Sequence, residues 1–154
     1  MFADDGGFAS HELAAFASRH NCRVTVISRF ASDAVVHDPP PLRMAGQNGR
    51  PRIVGTRLPN PGEVASTATG KRLTVSWYGG GRRWIEVATG TGHWYRQGQG
   101  LDPVRWIHAR DLTGSHRDEY IFSTAVRMSA RGIVEAFVGR WDIAVTFEEM
   151  RAHQ

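Results

Sequence analysis

The sequence predicts a mixed α/β (α+β) fold, and three observations carry that prediction. A capped helical pattern at residues 10–20 leads straight into an alternating, β-branched run, RVTVISRF. Three more strand-like runs, LTVSWY, RWIEVATG and VRWIHARD, are set apart by glycine-rich segments. From Ser129 onward the apolar positions step at threes and fours, the period of a helix.

Each element follows from its residues. In SHELAAFASRH, Ser10 is an N-cap and Glu12 sits in the first turn, while Leu13, Phe16 and Ala17 recur at helical spacing. Only MFA precedes the DDGG turn, so a first strand is expected to be mostly missing. Residues 38–68 carry PPP, several glycines and the basic stretch RPRIVGTRLPNPG, and predict loop or extended structure with no core helix. The GGG of YGGGRR and the glycines of TGTG predict hairpin turns, and TGHWYRQGQGLDP a glycine-rich break between strands. YIFSTAV is a candidate fourth strand of this group. The last helix, with Ile133, Phe137, Trp141, Ala144 or Val145, and Phe147 on its apolar stripe, lacks a terminal glycine or proline, so it is expected to continue past Gln154 or to be cut there.

Composition narrows the class. A chain of 154 residues, 41% hydrophobic and 22% charged, is long enough to bury a core and too apolar to be disordered. Its uncharged apolar runs are too short to span a bilayer, and MFADDGG is acidic where a signal peptide is basic, so a cytoplasmic protein is expected. Cys22 is the only cysteine, which excludes an internal disulfide and a multi-cysteine zinc site. The seven histidines lack the two-in-one-turn spacing of a zinc helix. Lys71 is the sole lysine among nineteen basic residues, and the formal charge is +4. Arginine forks suit phosphate oxygens, which favours a nucleic-acid partner.

Two places stand out for chemistry. An aspartate ending a short strand before a glycine turn and a helix, as Asp5 does, is a common position for ligands and metals in α/β sheets; it is also an ordinary turn. On the last helix, Phe137, Arg140, Ala144 and Arg151 share a face, and the arginines there either pair with acids, reach phosphates, or line a solvated edge.

The series DGGF, VTVISRF, DPPP, GRPR, VSWYGGGRR, ATGTGHWYRQGQ, VRWIHARD and RWDIAVTFEEMRAH resembles the DDE transposases of bacterial insertion sequences over essentially the whole chain. The resemblance implies an RNase H-like core interrupted by a β-rich insertion: residues 1–30 as truncated core, 31–128 as insertion with a loop-rich first part, and 129–154 as the signature helix. It implies DNA transposition by strand cleavage and transfer, with three converging carboxylates holding two Mg2+ ions. Asp5 takes the place of the second aspartate, with Asp4 as a bystander. Phe137 takes the place of the signature tyrosine, Arg140 matches its arginine, and Arg151 takes the place of its lysine.

Ala144 stands where the resemblance puts the catalytic glutamate, and a methyl group binds no metal. The strand bearing the first aspartate is expected to be missing, which would leave one carboxylate of three, and the chain is expected to be a catalytically inactive fragment. Glu148 lies one turn further along, roughly 6 Å by helical rise, and Glu149 points elsewhere, so neither is expected to rescue the site. Arg140 and Arg151 are the expected phosphate-facing residues. Arg82, Arg83, Trp94 and Tyr95 are further DNA-contact candidates, for which a core or hairpin role stands beside the nucleic-acid one. Expected partners are transposon-end DNA and, in the intact family protein, a second copy, with no membrane. The alternatives are a non-enzymatic DNA-binding or partner-binding module, or a remnant that does not fold stably because its sheet edge is open.

Overall fold

A computed structural model describes residues 2–4, 11–20 and 24–140. Residues 2–4 form a strand, β1 (Phe2–Asp4), followed by helix α1 (His11–Arg19) and β2 (Val26–Arg29). The two strands are parallel, with Phe2 opposite Val26 and Asp4 opposite Ser28, and α1 supplies the crossover that parallel pairing needs. Strands β3 (Val36–His37), β4 (Lys71–Ser76), β5 (Arg82–Arg96), β6 (Gly100–Asp111) and β7 (Glu119–Ser123) are joined antiparallel, so the protein is mixed α+β around an open sheet. The order is β1-β2-β7-β6-β5-β3, and β4 shares the outer edge of β5 with β3. The length of β5 makes this sharing possible: residues 82–87 pair with β4, while Trp94 and His93 pair with Val36 and His37.

The sheet runs on across residue 30: β2 pairs directly with β7, Ser28 opposite Phe122, and the last helix packs on strands from both sides of that position. Helix α3 runs from 130 through 140, the last described residue, and Ser129 caps it by accepting the Gly132 amide at 3.1 Å. Its Ile133, Val134, Phe137 and Val138 bury against Ile27, Val75, Ile85, Val87, Ile107 and Ile121. Trp141, Val145 and Phe147 lie outside the described residues. On the opposite face Val26, Val104, Trp106 and Phe122 meet Ala14 and Ala17 of α1 together with Phe30 and Val36. Of the three apolar residues at helical spacing on α1, Ala17 is buried and Leu13 packs against this cluster, while Phe16 is exposed with its ring 4.2 Å from that of His20.

Two expectations are corrected. A helix does occupy part of 38–68: α2 (Pro61–Thr67) has a capping box, the Asn60 side chain accepting the Glu63 amide and the Glu63 carboxylate accepting the Asn60 amide, and Val64 packs on the core. The TGTG glycines are not a turn, and TGHWYR is not a break: both lie inside β5. A Cβ on Gly90 would come within 2.7 Å of the Trp106 ring, and one on Gly92 within 2.3 Å of Val36, so these glycines admit close neighbours. The GGG does turn, with Gly79 at φ 72° and Gly80 at φ 75°, conformations that favour glycine. No described helix is long and apolar enough to cross a membrane.

Candidate nucleic-acid interface

Strand alternation sorts the residues of β4, β5 and β6 between the two faces. Val75, Ile85 and Val87 point to α3, so Arg72, Arg82, Trp84, Glu86 and Arg110 point to the other side. There α1 and α2 cover only the end of the sheet near Trp94 and Val104, and leave the end near Trp84 open. Trp84 is 58% exposed, an unusual state for a tryptophan in the middle of a paired strand. Arg82 is two residues away on the same strand, and Arg72 is diagonal to it across β4, where side chains remain within mutual reach.

The β6–β7 side of this open end is tied by acids. Asp118 accepts from His108 Nε2 at 2.9 Å and from Arg110 Nε at 3.2 Å, and Arg110 also lies 3.8 Å from Glu86. The His108 ring packs on Tyr120 at 4.8 Å. Arg110 is therefore held by protein carboxylates, whereas no described ion pair involves Arg72 or Arg82.

The loop after β6 is built on Asp111. Its Oδ1 accepts from the Thr113 amide at 3.0 Å; its Oδ2 accepts from the Ser115 amide at 3.2 Å, the His116 amide at 3.1 Å and Arg83 Nη1 at 3.0 Å. Burial alone would raise this carboxyl, but the hydrogen bonds from Thr113, Ser115 and His116 outweigh it and hold the group well below the usual carboxylate range. Arg83 also lies 4.9 Å over the Trp77 ring, and Trp77 stacks on His116 at 5.3 Å. A cavity of about 600 Å³ opens between this loop and α3, with Arg29, Arg117 and Glu119 among its polar lining.

A second buried polar pair sits under α1. His11 Nδ1 is 3.3 Å from Asp102 and its Nε2 lies 3.0 Å from the Trp94 carbonyl, which pins the start of α1 to β5 and β6. Burial pushes the Asp102 carboxyl above its ordinary value, against the pull of His11, Ser18, Arg19 and His93. Both side chains are buried, which suits an anchor between helix and sheet.

The residues singled out from sequence are dispersed. Arg82 is on the open face, but its neighbour Arg83 faces the α3 side and is bound to Asp111. Trp94 packs in the core, edge-on to Phe30 at 5.1 Å, and Tyr95 is half-buried with its ring 5.6 Å from His37. On α3 the Arg140 guanidinium lies 4.6 Å over the Phe137 ring, so these two do share a face. Asp5, Ala144, Glu148, Glu149 and Arg151 lie outside the described residues. Sequence reasoning missed Trp84 and Arg72, although the alternation around Ile85 and Val87 marks Trp84 as opposite to the core.

Among the described residues no group of three or more His, Cys, Asp or Glu is placed to hold a metal ion. No family model matches the chain, and neither a curated protein nor a solved structure matches it.

Proposed function

We propose that this chain is a DNA-contacting protein derived from a DDE transposase, with a nucleic-acid surface and without the family's Mg2+-dependent strand cleavage and transfer. The observation that carries DNA contact is the open end of the sheet, where Trp84 stands exposed near Arg72 and Arg82. A flat indole on a rigid strand offers a base a stacking surface, and the flanking guanidiniums suit the phosphates on either side. The parallel β1–α1–β2 unit, the strands between β2 and α3, and the helix packed on the sheet support the RNase H-like reading with a β-rich insertion. Loss of cleavage rests on Ala144, which removes a metal-binding oxygen.

Stacking on Trp84 predicts quenching of tryptophan fluorescence by an oligothymidylate single strand. Trp84→Ala is expected to weaken that binding by about 1–3 kcal/mol. The melting temperature should hardly move, since the side chain is exposed and surface changes stay within about 0.5 kcal/mol. Equal affinities for the variant and the wild type would remove the interface.

The transposase reading and the reading as a plain DNA-binding module share this surface and part over magnesium. Binding is expected to fall with salt and to be indifferent to Mg2+. Supercoiled plasmid incubated with the chain and Mg2+ is expected to remain uncut. Metal-dependent nicking that disappears in Asp5→Ala would show the chain to be an active nuclease. A second copy as partner belongs to the family expectation, and the DNA reading does not require it.

A further inference from the structure

Between β3 and α2 the chain leaves the sheet and returns. The base of the excursion is closed by backbone pairing: the Asp38 amide donates to the Thr56 carbonyl at 2.9 Å, and the Gly55 amide to the Asp38 carbonyl at 3.1 Å. Gly55 is required there, because a Cβ would lie 2.3 Å from the Pro39 carbonyl oxygen. Beyond this clamp every residue from 38 to 53 is exposed, so the segment projects from the sheet as an arm. Its tip is a turn in which the Gln47 amide donates to the Met44 carbonyl at 3.3 Å, and Arg43 Nη2 donates to the Gln47 carbonyl at 2.9 Å.

The composition of the arm is one-sided. It carries Arg43, Arg50 and Arg52, and no acid lies between Asp38 and Glu63. It also displays Leu42 at 93% exposure, Met44 at 72% and Ile53 at 59%. Exposed cations without counter-charges point to a polyanion, and three large apolar side chains held in water point to something that covers them. Prolines 39–41 and Pro51 hold the two legs extended.

We infer that the arm spanning residues 38–55 enters the minor groove of duplex DNA, with Arg50 and Arg52 along the groove and Leu42 and Met44 as wedges against base steps. The inference rests on the DNA reading of the sheet face but concerns a different surface and a different form of DNA. Arginine, Asn and Gln beside Leu, Met, Ile and Pro is the residue set that minor-groove arms use to read the groove and unstack a step. Extended chain across Pro51 separates Arg50 from Arg52 by roughly 6 Å. Two base steps along one strand span roughly 7 Å, so the backbone spacing of the two arginines matches groove positions two base pairs apart. Lipid is the rival partner for a basic, apolar-tipped segment, but surface-binding segments gather their apolar residues on one face of a helix, and this arm has no helix.

The test uses the full chain, a fluorescent duplex with a central A·T tract, and a single strand of the same length. In Arg50→Ala/Arg52→Ala, duplex affinity is expected to fall at least about tenfold, with the salt slope reduced by about 2. Single-strand binding through Trp84 should persist. Distamycin, which fills the A·T minor groove, should compete with the wild type. Leu42→Ser/Met44→Ser should lose the duplex bend read by end-to-end energy transfer, a bend expected between about 20° and 90° in the wild type. All four side chains are exposed, and unchanged melting temperatures would show that the fold is intact.

An unchanged duplex affinity in the double-arginine variant overturns the arm, as do indifference to distamycin or binding to phosphatidylserine vesicles in preference to duplex. If the arm fails while Trp84→Ala still weakens single-strand binding, the broader DNA reading survives. Loss of all single-strand binding in the wild type removes the sheet-face reading instead.

Discussion

Phe122→Ala is expected to cost about 3–5 kcal/mol of unfolding free energy. Phe122 is fully buried at the centre of the sheet, opposite Ser28 on β2 and Trp106 on β6. Its ring lies 5.4 Å from that of Phe30 and 5.3 Å from that of Trp94, and the same cluster holds Ala14 and Ala17 of α1. Truncation removes the common partner of strands, helix and both aromatic neighbours. The void cannot close easily, because its walls are paired strands on two sides and small alanines above. A domain with about 5–15 kcal/mol of total stability would be left marginal. Urea melts of variant and wild type measure the loss; a change under about 1 kcal/mol at equal m-value would show that this cluster is not the core.

The same cluster shows what the sequence discloses and what it conceals. The β-branched alternation of RVTVISRF, LTVSWY, RWIEVATG, VRWIHARD and YIFSTAV marks β2 and β4 to β7, since a period of two is a local property of the chain. The helix after Ser129 is equally legible, because its cap and its stripe of Ile133 and Phe137 are local too. Helix α2 had its own local signal, Asn60 with Pro61 and Glu63, hidden within proline-rich surroundings that favour loop. The β5 glycines misled for a different reason. Gly90 and Gly92 serve tertiary contacts with Trp106 and Val36, and a turn glycine looks no different in sequence.

The interface divides along the same line. Arg82 and Arg83 are neighbours in sequence and lie on opposite faces of the sheet, a separation that follows from Ile85 and Val87 being core. Trp84 and Trp94 share a face by the same count, yet one is open and the other packed. What separates them is the reach of α1 and α2 over the sheet, and no local pattern encodes that reach. Surface arginines and tryptophans are thus easy to nominate from sequence, and only the packing of the helices selects among them.

Asp111→Ala is expected to cost about 3 kcal/mol and to flatten the acid limb of the stability profile. One buried carboxylate collects the amides of Thr113, Ser115 and His116, the hydroxyls of Thr113 and Ser115, and the Arg83 guanidinium. Without it those amides lose their acceptor, and Arg83 keeps only its contacts to Thr113, Ser115 and the Trp77 ring. The sign of the pH effect follows from the depressed folded pKa: the stabilisation is complete above the ordinary aspartate value, near pH 4, and is lost as pH falls below it toward the folded value. Asp102 works in the opposite direction, its raised folded pKa favouring the folded state as pH falls, so the wild-type limb is the sum of the two. Subtracting the variant's profile from the wild-type profile isolates Asp111, and the difference should shrink steadily below about pH 4. The consequence reaches the proposed DNA-contacting face, because the loop that Asp111 organises leads to Asp118, which holds His108 and Arg110 beside the open sheet. Faster hydrogen exchange at the Ser115 and His116 amides is therefore expected together with weaker single-strand binding. A variant whose acid limb runs parallel to that of the wild type would show that the carboxylate does not hold this loop.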